Sequence, residues 1–248
     1  MDFPPRWQGH LAYIENLPGW HIYAIDHAGH GLSGDRRGTY RLADFADDMA
    51  EFIESVAGSS VAYFGASLGA LVGMMVAGTR PNLIKTMVLG DAPWSLLTQN
   101  YMGSPLQQSR TATKAHLEAG ISVEEEKKTI AAADPSLTSA QVESRAISMS
   151  QLRPNTCDAL IDGSFADGWD VDQTLKDTTT ATMILQGDDQ NGGFQPDSDV
   201  TRMAELYADS EAAKFYGLGH GLDYGVPAAP FDIARGFLQR RHLDWQRC

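Results

Sequence analysis

Gly65-Ala66-Ser67-Leu68-Gly69 follows the apolar run Ser60-Val61-Ala62-Tyr63-Phe64 and precedes Ala70-Leu71-Val72-Gly73-Met74-Met75-Val76-Ala77. That order sets a serine on a tight turn between a strand and an amphipathic helix, the context of a nucleophile elbow. Such a turn forces the serine into a strained backbone conformation. Glycines on either side let strand and helix approach without Cβ clashes and leave the hydroxyl exposed at the helix N-terminus. The pentapeptide alone is a weak signal, because a chance copy is a flexible Gly-Ser turn. A chance copy would usually fall in a polar loop, whereas here strand and helix patterns abut it on both sides. Ser67 is the leading candidate nucleophile.

The chain has 248 residues, 43% of them hydrophobic, enough for one large α/β domain with a sizeable core. Its formal charge of −13 argues against nucleic acid or an anionic membrane surface as the main partner. Cys157 and Cys248 match no metal-ligand or redox spacing, so no metal site or disulfide framework is expected. No apolar stretch is long enough to span a bilayer, and Met1-Asp2-Phe3-Pro4-Pro5-Arg6-Trp7 lacks the regions of a secretory signal. These features predict a soluble cytoplasmic protein.

Outward from the elbow, His21-Ile22-Tyr23-Ala24-Ile25-Asp26 reads as a strand leading into the glycine-dense turn His27-Ala28-Gly29-His30-Gly31-Leu32-Ser33-Gly34. Leu42, Phe45, Ala46, Met49, Phe52, Ile53 and Val56 recur at spacings of three and four, predicting an amphipathic helix over Tyr40 to Val56. Ile84 to Leu89 is a further buried strand, ending in Gly90-Asp91-Ala92-Pro93-Trp94. Strand pattern resumes at Ala181 to Gln186 and Ala213 to Tyr216, with a helix over Asp199 to Ala208 between them and a final helix over Ala228 to Asp244. Alternation of this kind predicts a mostly parallel sheet with functional groups at the C-terminal strand ends.

From Ser95 to Lys176 the pattern is polar and helical, without a convincing strand, and reads as an inserted helical cap. The expected division is therefore a core of 1–94 and 177–248 and a cap of 95–176. Within the cap, Glu124-Glu125-Glu126-Lys127-Lys128 is expected to be a solvated helix face. Gly217-Leu218-Gly219-His220-Gly221 follows the last strand, so His220 is placed to reach over the sheet edge toward Ser67 as general base. His10, His21, His116 and His242 lie outside strand-end loops.

Together these residues resemble the α/β-hydrolase superfamily, from about Trp7 to the C-terminus. Asp26-His27-Ala28-Gly29-His30-Gly31-Leu32-Ser33 looks like its Asp-x-x-Gly-His-Gly-x-Ser turn, Gly65 to Gly69 like its elbow, and Gly219-His220-Gly221 like its catalytic-histidine loop. The order Ser, acid, His in the chain also fits. The resemblance implies that His30 and Ser33 brace a loop. Most members place the acid three residues after the glycine that ends the penultimate strand, but here Gly187 is followed by Asp188, Asp189 and Gln190. A neutral amide cannot stabilise an imidazolium, so the role moves elsewhere. Some relatives with a similar Gly-Asp-x-x-x-Gly-Gly segment use a carboxylate after the strand that follows the elbow. Asp91 fits that place and is preferred, with Asp188 the alternative; a turn-bracing role is the competing reading of Asp91.

A second departure concerns the start of the sheet. Members carry two or three strands before the Asp-x-x-Gly-His-Gly-x-Ser turn, and the third ends in a His-Gly loop that donates one oxyanion N–H. Here only about 20 residues precede His21, and Trp7 to Leu17 looks like the helix that would follow the missing loop. Without the intervening strand, buried backbone groups would go unpaired at about 1–3 kcal/mol each. The expectation is a natural N-terminal extension of roughly 30–40 residues, or a second chain filling the gap, which would make a homo-oligomer.

The implied chemistry is acyl transfer to Ser67 from a small-molecule carboxylic ester or lactone, with the Leu68 N–H at the oxyanion and no cofactor or metal. Loss of one of two oxyanion donors costs about 10²- to 10³-fold in rate, so the chain as written would be impaired. The alternatives are C–C hydrolysis or lyase chemistry with the same triad, and a non-catalytic binding protein on a degraded hydrolase scaffold. Trp94, Met102, Phe165 and Trp169 suggest an apolar pocket, with Trp94 the substrate-binding candidate, although packing of the cap's core is the simpler reading of any one of them.

Overall fold

The computed structural model describes residues 19–36, 38–135, 137–222 and 229–245. The helix expected over Trp7 to Leu17 lies outside these residues. The chain forms two compact units, one of 41–100 with 166–248 and one of 1–40 with 101–165.

The strands are β1 (Val61–Ala66), β2 (Ile84–Gly90), β3 (Ala181–Gly187) and β4 (Ser210–Phe215). In chain order the helices are α1 (Leu42–Phe52), α2 (Leu68–Thr79), α3 (Trp94–Gln99), α4 (Pro105–Glu118), α5 (Val123–Ala133), α6 (Ser139–Ser150), α7 (Asp158–Asp162), α8 (Val171–Asp177), α9 (Asp197–Leu206) and α10 (Ala229–Trp245). None among the described residues is long and apolar enough to cross a membrane.

The larger unit holds a parallel sheet in the order β1-β2-β3-β4. Parallel strands covered on both faces read as nearly unbroken apolar runs, as β2 and β3 do. Val88, Met183 and Leu185 pack on Ala234, Phe237 and Leu238 of α10. Because side chains alternate along a strand, the buried Met87, Leu89 and Ile184 point to the opposite face, where α2 lies on β1 and β2. Helices α1 and α8 pack against α2 in turn.

Two sequence expectations are corrected here. First, α2 is not amphipathic: Ala70 to Ala77 are all buried, so the helix is enclosed on every side, as an all-apolar helix must be. Second, His21 to Asp26 forms no strand, and the described sheet has β1 at one edge. Apolar content suits a chain to a sheet, but a strand exists only where a neighbour completes its hydrogen-bond ladder.

In the smaller unit, the turn after Asp26 is closed by its own backbone. Gly29 N–H donates to Gly34 O (2.9 Å), and Ser33 Oγ to Asp26 O (2.6 Å). The His30 ring bonds Ala28 O at 3.0 Å, a bracing role for His30 and Ser33 alike. Arg153 N–H reaches back to Gly29 O (2.9 Å), joining this turn to the helical segment. Helices α5 and α6 each begin with a reciprocal capping box, Ser122 with Glu125 and Thr138 with Gln141. The acidic run opening α5 is not wholly a solvated face, because Glu126 is buried and its carboxylate pairs with His116 of α4.

Close packing at the elbow makes a stability contrast. A Cβ on Gly65 would come within 2.5 Å of the Gly69 carbonyl carbon and oxygen, whereas a Cβ on Gly69 would meet only the Tyr63 hydroxyl at 3.8 Å. Gly65→Ala should therefore cost about 1–3 kcal/mol in a denaturant titration. Gly69→Ala, in a helix that favours Ala, should be neutral or stabilising by up to about 1 kcal/mol.

Candidate active site

Ser67 is the one residue between β1 and α2, with φ 52° and ψ −117°. An L-residue adopts this conformation only when its surroundings dictate it. Its N–H donates to Gly90 O (2.8 Å), one rung beyond the last β1–β2 pair. Beneath the turn, the buried Tyr63 hydroxyl donates to Gly69 O (2.6 Å), and burial pushes the phenol's pKa well up, so it serves as a neutral donor. With its own N–H engaged, Ser67 leaves the N–H of Leu68 as the nearest donor that lacks an intrahelical acceptor. The positive end of the α2 dipole adds to it.

Asp91 follows the last residue of β2 and is, with Ser67, one of two non-glycine residues with positive φ among the described residues (φ 40°). Its N–H donates to Leu185 O (2.8 Å), so it too is pinned to the neighbouring strand. Its carboxylate is 1% exposed and accepts from four donors. Oδ1 takes Gly187 N–H (3.0 Å) and Gln195 N–H (3.3 Å), and Oδ2 takes Phe194 N–H (2.8 Å) and His220 Nδ1 (2.6 Å). Burial opposes the charge, but the hydrogen bonds from His220 and from the backbone of Phe194 and Gly187 outweigh it. They hold this carboxyl below its ordinary 3.8.

His220 completes the arrangement: its Nε2 lies 2.9 Å from Ser67 Oγ while Nδ1 faces Asp91. The Phe194 ring lies against the imidazole, centroids 4.3 Å apart. Gly219 passes so near Asn191 O that a Cβ would sit 2.1 Å away, so only glycine lets the histidine loop nest there. Serine, histidine and carboxylate thus stand in the relation that makes a serine nucleophilic.

Asp188, the alternative acid, is not brought to His220. Its carboxylate accepts from Gly217 N–H (2.9 Å), Asn191 Nδ2 (2.8 Å) and Gln190 N–H (3.1 Å). The Gly217 amide chiefly holds its pKa down. Its position ties β3 to the loop that carries His220. Trp94 lies at the start of α3, buried, its Nε1 without a hydrogen-bond partner among the described residues. Met102 is exposed, Phe165 is buried, and Trp169 Nε1 donates to Thr174 Oγ1 (2.9 Å). Sequence reasoning missed Phe194 and Gln195, which orient Asp91 through their backbone; the preceding Gly192-Gly193 was the signal of a tight turn there. Among the described residues no group of three His, Cys, Asp or Glu side chains converges as for a metal ion.

A parallel sheet with flanking helices and a strained serine on the strand-to-helix turn after β1 defines an α/β-hydrolase. The chain belongs to the family described as serine aminopeptidase, S33, which matches residues 6–216. It is 37% identical over 68 residues to the 2-(acetamidomethylene)succinate hydrolase of Mesorhizobium japonicum, a match covering 27% of this chain and 24% of the relative. It is 27% identical over 112 residues to the (E)-2-((N-methylformamido)methylene)succinate hydrolase of Acinetobacter baylyi, covering 45% and 41%. The matches thus span about a quarter and about two fifths of the length of these two curated relatives. A carboxylesterase structure from the thaumarchaeon Nitrososphaera gargenis superposes with a TM-score of 0.76 at 15% identity, over 97% of this chain and 87% of the other.

The two acids should separate cleanly by mutation. Asp91→Asn removes the charge that faces His220 and should lower kcat by about 10⁴-fold on any substrate the chain turns over. Asp188→Asn should lower thermal stability while leaving kcat of the folded enzyme near the parent's. Because the folded Asp91 value is depressed, its stabilising contribution is complete above 3.8 and is lost as pH falls through the lower folded value. Acid unfolding of Asp91→Asn, followed by circular dichroism, should lack that part of the pH dependence.

Proposed function

We propose that the chain is a serine hydrolase that cleaves a small-molecule carboxylic ester or lactone through an acyl-enzyme. The observation that carries this reading is the continuous hydrogen-bonded line from Asp91 Oδ2 through His220 to Ser67 Oγ, at 2.6 and 2.9 Å. As Ser67 Oγ attacks the carbonyl carbon, its proton passes to His220 Nε2, and Asp91 stabilises the imidazolium. The oxyanion accepts from Leu68 N–H at the α2 N-terminus. His220 returns the proton to the departing alkoxide, leaving the acyl group on Ser67. Water then attacks the acyl carbon with His220 as base, and the carboxylic acid leaves with Ser67 restored. Trp94, at the start of α3, is the candidate for contact with the substrate.

A second reading draws on the names of the two curated relatives, each carrying an amido group and a succinate. The same serine chemistry would cleave an acyl group from nitrogen, with His220 protonating the departing amine instead of an alkoxide. The family's own description as an aminopeptidase points the same way.

Hydrolysis of p-nitrophenyl acetate and butyrate tests the first reading, and release of acetate from N-acetylated amino dicarboxylates tests the second. Ser67→Ala should lose at least about 10⁴-fold of whichever activity is present. A fluorophosphonate probe should label the parent and not the variant. A parent that stays unlabelled, or turnover equal in Ser67→Ala, would assign the chain to binding or to chemistry independent of this serine.

A further inference from the structure

Arg110 stands out in the smaller unit because it is a partly buried cation with no partner among the described residues. It lies on α4 between Gln107 and Lys114, spacings of three and four that put all three on one helical face. Its two neighbours are engaged with the segment packed against that face. Gln107 Nε2 donates to Ile161 O (2.7 Å), and the Lys114 ammonium pairs with Asp158. Arg110, between them, makes no hydrogen bond or ion pair with any described residue, and its Nε is buried. A second buried polar atom nearby is also without a partner among the described residues, the hydroxyl of Tyr101, a residue only 5% exposed. The Arg110 charge is felt at both the Tyr101 phenol and the buried Cys157 thiol.

An unmatched guanidinium and an unmatched hydroxyl in one neighbourhood are costly unless an acceptor joins them. We propose that Arg110 and Tyr101 form a binding site for an organic carboxylate. The guanidinium edge, Nε with one terminal nitrogen, presents two parallel donors that match the two oxygens of a carboxylate, and the phenol hydroxyl supplies a third. Charge balance favours a carboxylate over phosphate. Burial is the main force pushing both the Tyr101 phenol and the Cys157 thiol up, so both are neutral near pH 7. Lys114 is already matched by Asp158 and Glu118. The site therefore offers a single positive charge, which matches one carboxylate and leaves one charge of a phosphate dianion uncompensated on the same group. The inference stands on these two side chains and does not depend on what Ser67 acylates.

Calorimetric titration of the full chain with acetate, succinate and inorganic phosphate tests it, and none of these measurements requires turnover. Saturable binding of acetate or succinate is expected at concentrations up to about 10 mM, weakened at least about tenfold by Arg110→Gln and about two- to tenfold by Tyr101→Phe. Arg110 holds nothing in place, so Arg110→Gln should keep the parent's melting temperature. A second readout is direct: in a ¹⁵N–¹H spectrum of arginine side chains, the Nε–H signal missing from Arg110→Lys should shift on titration of the parent with succinate. No saturable carboxylate binding, equal binding by Arg110→Gln, an Arg110 signal that stays put, or tighter binding of phosphate would each overturn the proposal.

Discussion

Two backbone hydrogen bonds, Ser67 N–H to Gly90 O and Asp91 N–H to Leu185 O, fix everything at the carboxyl end of the sheet. Each extends a parallel ladder by one rung past the end of its strand, into a residue whose φ is positive without being glycine. Such conformations cost of order 1–3 kcal/mol apiece and persist only where the surroundings over-determine them. Here the ladder supplies one constraint at each residue and a side-chain bond supplies the next. Tyr63 ties the backbone of the elbow from below, and Asp91 is gripped by three backbone donors from the end of β3 and the segment after it. Successive strands of the sheet thus deliver nucleophile and acid, and the loop after β4 delivers the histidine between them.

The environment of Asp91 shows how one buried charge is made tolerable. A carboxylate out of water would normally be protonated, yet four donors converge on its two oxygens and keep it ionised. The same donors fix its orientation, so the imidazole meets a rigid acceptor. Asp188 performs a related task one strand over, satisfied by amides of its own loop and of the Gly217 turn, and so positions the loop without entering the proton path. Two aspartates of similar local context take different roles because their donors come from different segments.

Much of this was legible in the sequence because it is local. An apolar run, a glycine-flanked serine and an apolar helix are contiguous, and Asp91 and His220 each sit directly after a strand pattern. What was not legible depends on residues far apart in the chain. The amides of Gly187, Phe194 and Gln195 reach Asp91 across about a hundred positions, and a backbone N–H carries no sequence signature. Segment 21–26 was misread as a strand because side-chain pattern reports burial, whereas pairing is a property of the neighbour. Helix α2 was read as amphipathic, yet it is enclosed on every side, and its Gly69 and Gly73 face Tyr63. Glu126 looked solvent-facing within its charge run until the fold placed His116 beside it.

The ladder rung at Ser67 has one further consequence, for exchange with solvent. Amides in tight turns ordinarily swap their protons with water quickly, since little holds them closed. The amide of Ser67 is instead bonded to a carbonyl of an interior strand, and breaking that bond requires β1 to part from β2. Its proton should be retained about as long as those that join β1 to β2, so the clock of this single amide would report the parting of those two strands from the position of the reactive hydroxyl.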